Sequence, residues 1–188
     1  MVEISNDLIF KICLFGEKNV GKASLIQKSI QEEVSKEIKP PACLDIAIKR
    51  LKINSFKIAL QIWIFNCDTQ FKSIFPVFLK GTLGGIFMYD ITNYSSINNV
   101  EDWIKIFKEG LSGEGKKIPL LMVGGKLDLN KKRVLSRKYA KKILRKYNFL
   151  KYFECSSKTG QNIEKIFKFL TRSMLKHESL FNKTKKNI

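Results

Sequence analysis

Two hydrophobic rhythms alternate along the chain. Residues 8–15, Leu-Ile-Phe-Lys-Ile-Cys-Leu-Phe, are almost continuously apolar, which predicts a strand buried on both faces. After a Gly-containing loop, Leu25, Ile26, Ile30 and Val34 recur at helical spacing, and Pro40-Pro41 closes that region. Leu44, Ile46 and Ile48 then alternate with Asp45, Ala47 and Lys49. Beyond the Asn54-Ser55 turn, Phe56, Ile58, Leu60, Ile62 and Ile64 alternate again, so 44–64 reads as a hairpin. A strand at 85–91 precedes a helix carrying Ile97, Val100, Trp103, Ile104 and Phe107, with Ser95 or Ser96 as its cap. Residues 118–124 form another strand. Ser136 caps a very basic helix with Ala140, Ile143, Leu144 and Tyr147 on its apolar side. A short strand at 152–155 and a last helix marked by Ile163, Ile166, Phe167 and Leu170 complete the series.

Six strands with interleaved helices predict one α/β domain over residues 1–175, followed by a basic tail over 176–188. The expected sheet is doubly wound, six-stranded and mostly parallel, with one antiparallel strand and helices on both faces. Such sheets bind ligands beyond the carboxyl ends of their strands, here the loops after residues 15, 64, 91, 124 and 155.

Composition narrows the classes. Of the 188 residues, 44% are hydrophobic, enough for a core without disulfides or metals. No apolar run approaches the ~18 residues of a membrane span. The start lacks the basic-then-apolar layout of a secretory signal, so a cytoplasmic chain is expected. Cys13, Cys43, Cys67 and Cys155 are scattered, with neither CxxC nor metal spacing, and read as reduced thiols. His177 is the sole histidine, which argues against histidine-based zinc sites and Ser-His-Asp chemistry. No metal-ligating set is predicted, and a monomer is expected.

Charge is unevenly placed. Residues 1–104 hold 12 basic and 11 acidic side chains, whereas residues 105–188 hold 23 and 6. The segment 131–146 has nine basic residues and no acidic one. This points to an anionic partner on one side, a membrane surface or a nucleic acid; a solvated Lys-rich face is the plain alternative.

Three of the strand ends carry candidate chemistry. Gly16-Glu-Lys-Asn-Val-Gly21-Lys22 has the GxxxxGK form of a phosphate-binding loop between strand and helix. The candidate phosphate-binding set is Gly16, Lys18, Asn19, Val20, Gly21, Lys22, Ala23 and Ser24. Glycines let the backbone wrap phosphates, and a helix N-terminus offers unpaired N–H groups. Val123-Gly-Gly-Lys126-Leu-Asp128 follows the fifth strand, and Cys155-Ser156-Ser157-Lys158 the sixth.

Together these motifs resemble the nucleotide-binding set of the Ras-like small GTPases, closest to the Rab and related archaeal-type branches. The resemblance spans nearly the whole chain, including Leu60-Gln-Ile-Trp63, Met88-Tyr-Asp-Ile-Thr92 and Glu154-Cys-Ser-Ser-Lys-Thr-Gly-Gln-Asn162. It implies GTP or GDP as ligand. A carboxylate at Asp128 accepts two hydrogen bonds from guanine, a donor pair adenine lacks. The family pattern implies that the stems of Lys126 and Lys158 cover the two faces of the base. Ser156 would steady Asp128, and backbone N–H groups near Ser157 and Lys158 would meet the guanine oxygen.

The same resemblance exposes departures. Ala23 stands where the family has a Mg²⁺-binding Ser or Thr, and Pro41 where it has the switch Thr; the nearest candidate hydroxyl is Ser35. Ile64 replaces the Asp, Cys67 the Gly and Asp68 the water-orienting Gln of the motif after the third strand. Asp68 is the remaining candidate catalytic group, by holding a water or a metal, with repulsion of the γ-phosphate as the favoured alternative. Lys18 is a candidate to offset phosphate charge in place of the metal. Gly125 replaces the Asn that ties base loop to phosphate loop, which predicts a looser pocket with guanine recognition kept. The expectation is a switch protein that binds GDP or GTP weakly, with little Mg²⁺ dependence and slow or absent hydrolysis. Effectors or regulators would meet residues 40–80. The alternatives are a nucleotide-independent scaffold and a basic membrane or nucleic-acid adaptor, peripheral at a membrane through 131–146 and the tail. No cysteine follows Cys155, so no prenyl anchor is expected.

Overall fold

In the computed structural model, which describes residues 8–30, 44–66, 69–111 and 118–185, a six-stranded sheet runs in the order β2-β3-β1-β4-β5-β6. The strands are β1 (Leu8–Phe15), β2 (Leu44–Ile53), β3 (Phe56–Phe65), β4 (Gly84–Asp90), β5 (Leu120–Gly125) and β6 (Lys151–Glu154). The helices are α1 (Lys22–Ser29), α2 (Ser95–Asn98), α3 (Val100–Gly110), α4 (Arg137–Lys146) and α5 (Ile163–Lys185). Strand β1 pairs in parallel with β3 and β4, and β4–β5–β6 continue in parallel. Only β2 is antiparallel; it pairs with β3 from Leu44↔Phe65 to Ile53↔Phe56, which is the hairpin expected for 44–64.

Residues alternate between the two faces of β1, so its nearly unbroken apolar run feeds two cores. Ile12 and Leu14 pack with Leu25, Ile62, Val123, Ile166 and Leu170 on one side. Cys13 and Phe15 pack with Phe87, Tyr89, Trp103 and Phe107 on the other, where the Phe15 and Phe107 rings stack at 4.9 Å. Filling both faces pins the register of β1, and with it the position of the loop that leaves its carboxyl end.

Four local features differ from the sequence reading. Helix α1 ends at Ser29, with Ile30 extended; Val34 lies outside the described residues. A 3₁₀ segment, Thr69–Leu79, was not expected. It contains Pro76, and it buries Phe75 and Leu79 against the aromatic core. Neither Ser95 nor Ser96 caps the long helix, because α2 and α3 are separate and α3 is preceded by Asn99. The strand end claims Ser96 instead: its Oγ accepts from the Asp90 N–H and donates to the Asp90 and Asn93 carbonyls. Helix α5 runs unbroken through Lys185, into the stretch set apart as a tail. Ser136 does cap α4, accepting from the Tyr139 N–H at 3.1 Å. No helix of the described residues is long and apolar enough to cross a membrane.

Candidate functional site

The loop from Gly16 to Gly21 turns directly off β1 into α1. Gly16 has φ +136°, and a Cβ there would sit 2.1 Å from the Met88 carbonyl oxygen. Gly21 has φ +103° and precedes α1, with no side chain capping the helix. Both positions require glycine, one for space and both for conformation. The first N–H groups of α1 therefore face the loop without intrahelical partners, as an anion site requires. Lys22 is buried, and its Nζ donates to the Gly16 and Glu17 carbonyls at 3.0 and 2.7 Å. This fixes an ammonium inside the turn.

A tie not expected from the sequence holds the outer side of this loop. Glu17 Oε1 accepts from Trp103 Nε1 at 2.9 Å and from Asn99 Nδ2 at 3.2 Å. Glu17 occupies a variable position of the motif, so spacing carried no signal for it.

The other two loops meet the first across a cavity of about 490 Å³. Of the predicted residues, Val20, Gly21, Ser24, Lys126, Asp128, Ser157 and Lys158 line it. Gln27, Lys28, Met88 and Leu129 line it too and were not foreseen. Gly16, Lys18, Asn19, Lys22 and Ala23 lie on the phosphate loop or the start of α1 without lining this cavity, and Ser156 is buried beside it.

Polar contacts fix the base side. Ser156 Oγ donates to Asp128 Oδ1 at 2.6 Å and accepts from the Thr159 N–H at 3.1 Å. Lys126 Nζ lies 2.7 Å from Asp90 Oδ2, while Asp90 Oδ1 accepts from the Thr92 N–H and hydroxyl. Lys126 has φ +64°, a conformation costly to a lysine and held here by the Leu129 N–H on its carbonyl at 2.8 Å. The Leu127 N–H donates to the Cys155 carbonyl, joining the two base loops. Beneath them, Glu154 takes a two-pronged contact from Arg133 at 2.7 and 2.8 Å, plus bonds from Arg137 and Tyr152. Burial pushes the Glu154 carboxyl up, but the hydrogen bonds from Arg133, Tyr152 and Arg137 outweigh it and leave it below the usual range. Burial pushes the Cys155 thiol up to about 12, with Asp128 and Glu154 adding to it, so this cysteine is inert.

Set on a β2-β3-β1-β4-β5-β6 sheet, this arrangement has counterparts among known proteins. Residues 11–176 match the Ras family. The chain belongs to that family. It is 31% identical over 169 residues to the Ras-related protein Rab-13 of Bos taurus, covering 90% of this chain and 81% of that one. It is 30% identical over 169 residues to Rab-8B of Homo sapiens, covering 90% and 80%. Rab-8 of Diplobatis ommata is likewise 30% identical, with 79% of it covered.

The metal side of this Ras-family chain is different. Ala23 offers no oxygen. Ile64 sits at the end of β3 in the core, 4% exposed, paired with Leu14 and Asp45 in the sheet. Among the described residues no group of acidic, His or Cys side chains is placed to hold a metal ion. Ser35, Pro41, Cys67 and Asp68 lie outside the described residues. At Gly125, where a looser pocket was expected, the space is full: a Cβ would lie 2.6 Å from Met88 Cε and 2.9 Å from the Val20 carbonyl oxygen.

Proposed function

We propose that the chain is a guanine-nucleotide-binding switch protein in which base recognition outlives the hydrolytic machinery. It holds GDP or GTP weakly, with little dependence on Mg²⁺, and hydrolyses GTP slowly or not at all. The observation that carries this reading is the Ser156–Asp128 hydrogen bond on a cavity shared with the phosphate loop. The bond leaves Asp128 oriented and exposed, as recognition of a guanine donor pair needs. Lys22 and the open N-terminus of α1 supply positive potential for phosphates, with Lys18 on the loop adding to it. Phosphoryl transfer depends on positioning and on neutralising developing charge, and Ala23 and Ile64 leave the metal's share of that unfilled. Asp68 remains the candidate catalytic group near the γ-phosphate, with repulsion of that phosphate as the favoured alternative. Protein partners would dock on residues 40–80, where Val77 is 75% exposed.

A thermal-shift panel tests this reading. GDP and GTP should stabilise the protein equally with and without EDTA, and ATP should not. No stabilisation by any nucleotide would favour the scaffold. Rapid single-turnover hydrolysis would overturn the loss of turnover.

A second reading concerns the basic face. Arg133 and Arg137 are spent on Glu154, and Lys146 contacts Glu101 at 3.4 Å. Lys131, Lys132, Lys138, Lys141, Lys142 and Arg145 remain exposed on and before α4. Each cation near an anionic lipid layer contributes about 1 kcal/mol, so these six suit a peripheral contact with such a membrane. Co-sedimentation with vesicles containing phosphatidylserine at low and high salt checks it; no binding at low salt removes it.

A further inference from the structure

Three of the glycines that shape the site converge on one residue, two of them on its side chain. Met88 lies on β4, paired with Val123 of β5, and is 1% exposed, yet it lines the cavity. Gly16 packs on its backbone, with a Cβ position 2.1 Å from the Met88 carbonyl oxygen. A Cβ on Gly21 would stand 3.5 Å from Met88 Cε, and one on Gly125 only 2.6 Å from the same methyl. The thioether tip therefore fills the gap between the phosphate loop and the first base loop. The Val20 carbonyl closes the gap from the other side, 2.9 Å from the Gly125 Cβ position.

We propose that Met88 is the positioning residue of this pocket: its methyl sets the spacing of the phosphate loop from the Lys126–Asp128 loop, the task a hydrogen-bonding Asn at position 125 performs in the family pattern. This rests on the guanine-nucleotide reading above and specifies how that site is held. A polar tether between two loops has been exchanged for an apolar spacer. Methionine suits the task because it is unbranched and fills irregular gaps. The exchange is one-way at the level of single substitutions. With Met88 present, any side chain at 125 meets the methyl and a backbone oxygen, so asparagine cannot simply be restored.

The test is a double-substitution cycle of Gly125→Asn, Met88→Val and the pair, read by melting temperature without nucleotide and by affinity for a fluorescent GDP well below melting. Valine is chosen because it is smaller and favours strands, so β4 should survive the change. Gly125→Asn alone should lower Tm by roughly 5 °C and weaken GDP binding about tenfold. Met88→Val alone should weaken GDP binding several-fold while moving Tm less. The pair should recover part of both losses, binding GDP several-fold more tightly than Gly125→Asn alone, because the Val20 carbonyl oxygen still crowds the Cβ position. Additive losses, or a neutral Gly125→Asn, would overturn the proposal while leaving wild-type GDP binding intact. If wild type binds no GDP or GTP, the functional reading fails. Coupling in Tm alone would then reduce Met88 to core packing and overturn its positioning role too.

Discussion

The two ends of the candidate pocket are built differently. On the base side the polar groups are held by one another: Ser156 on Asp128, Asp90 on Lys126, the Cys155 carbonyl on the Leu127 N–H. On the metal side the corresponding places carry Ala23, which has nothing to donate, and Ile64, which belongs to the core. On the proposed reading, recognition and turnover are separable parts of this fold. Selecting a base needs fixed donors and acceptors on β5 and β6. Turning over a phosphate needs charge neutralisation at the ends of β1 and β3. A chain can keep the first set and lose the second, since the two draw on different strand ends.

The contrast is broken most directly at Asp128. Asp128→Asn should cut GDP affinity by at least ~100-fold, about 2.7 kcal/mol, as one acceptor of the guanine donor pair becomes a donor. Titration calorimetry reads this. A change below threefold would overturn guanine recognition by the base side.

Glu154 tests whether the base side depends on its foundation. A carboxylate held low in the folded state stabilises the protein above its unfolded pKa, about 4.3, and that contribution is lost as pH falls through the folded value. Glu154→Gln should therefore cost about 1–3 kcal/mol at neutral pH, because the half-buried Arg133 loses its charged partner. Denaturant unfolding curves for wild type and variant should converge as the pH drops below about 4. Parallel curves down to pH 2 would show that Glu154 is not the group that titrates.

Much of this was legible beforehand, for definite reasons. Strands buried on both faces give unbroken apolar runs, so β1, β4 and β5 stood out, and the period-two pattern of 44–64 gave the hairpin. The three motif loops lie at the strand ends where spacing put them. What the sequence concealed depends on contacts between distant segments. Glu17 meets Trp103 across 86 positions, and Met88 meets Gly125 through a gap no periodicity describes. The break at Asn99 was hidden because Ser96 is a good cap by type, while strand β4 had a stronger claim on its hydroxyl. The segment Thr69–Leu79 does carry apolar residues at helical spacing, Phe71, Ile74, Phe75, Phe78 and Leu79, a signal the sequence reading passed over.

A smaller effect is expected at Ser156. Ser156→Ala removes the donor on Asp128 and the acceptor of the Thr159 N–H, both part-buried. The loss should be roughly 1–2 kcal/mol, or about tenfold in GDP affinity, with the preference for guanine over adenine kept. Competition between GDP and ADP measures both. If the preference disappears as well, Ser156 takes part in recognition rather than steadying Asp128.

The smallest expected effect lies on the other side. Chelating Mg²⁺ should change GDP affinity by less than about threefold, because neither Ala23 nor Ile64 can coordinate it. Ala23→Ser separates two explanations. If the hydroxyl were the only thing missing, restoring it would bring back a large dependence on the metal. The structure argues otherwise, since the second position is an isoleucine 4% exposed in the core, bonded in sheet to Leu14 on one side and Asp45 on the other. A lone serine oxygen with the phosphates still leaves a divalent ion short of protein donors, so Ala23→Ser should raise the Mg²⁺ dependence by no more than ~3-fold. Nucleotide dissociation rates with and without EDTA decide this. A tenfold or greater effect in that variant would show that the metal side is one substitution from function, and that the two halves diverged far less than Ile64 suggests.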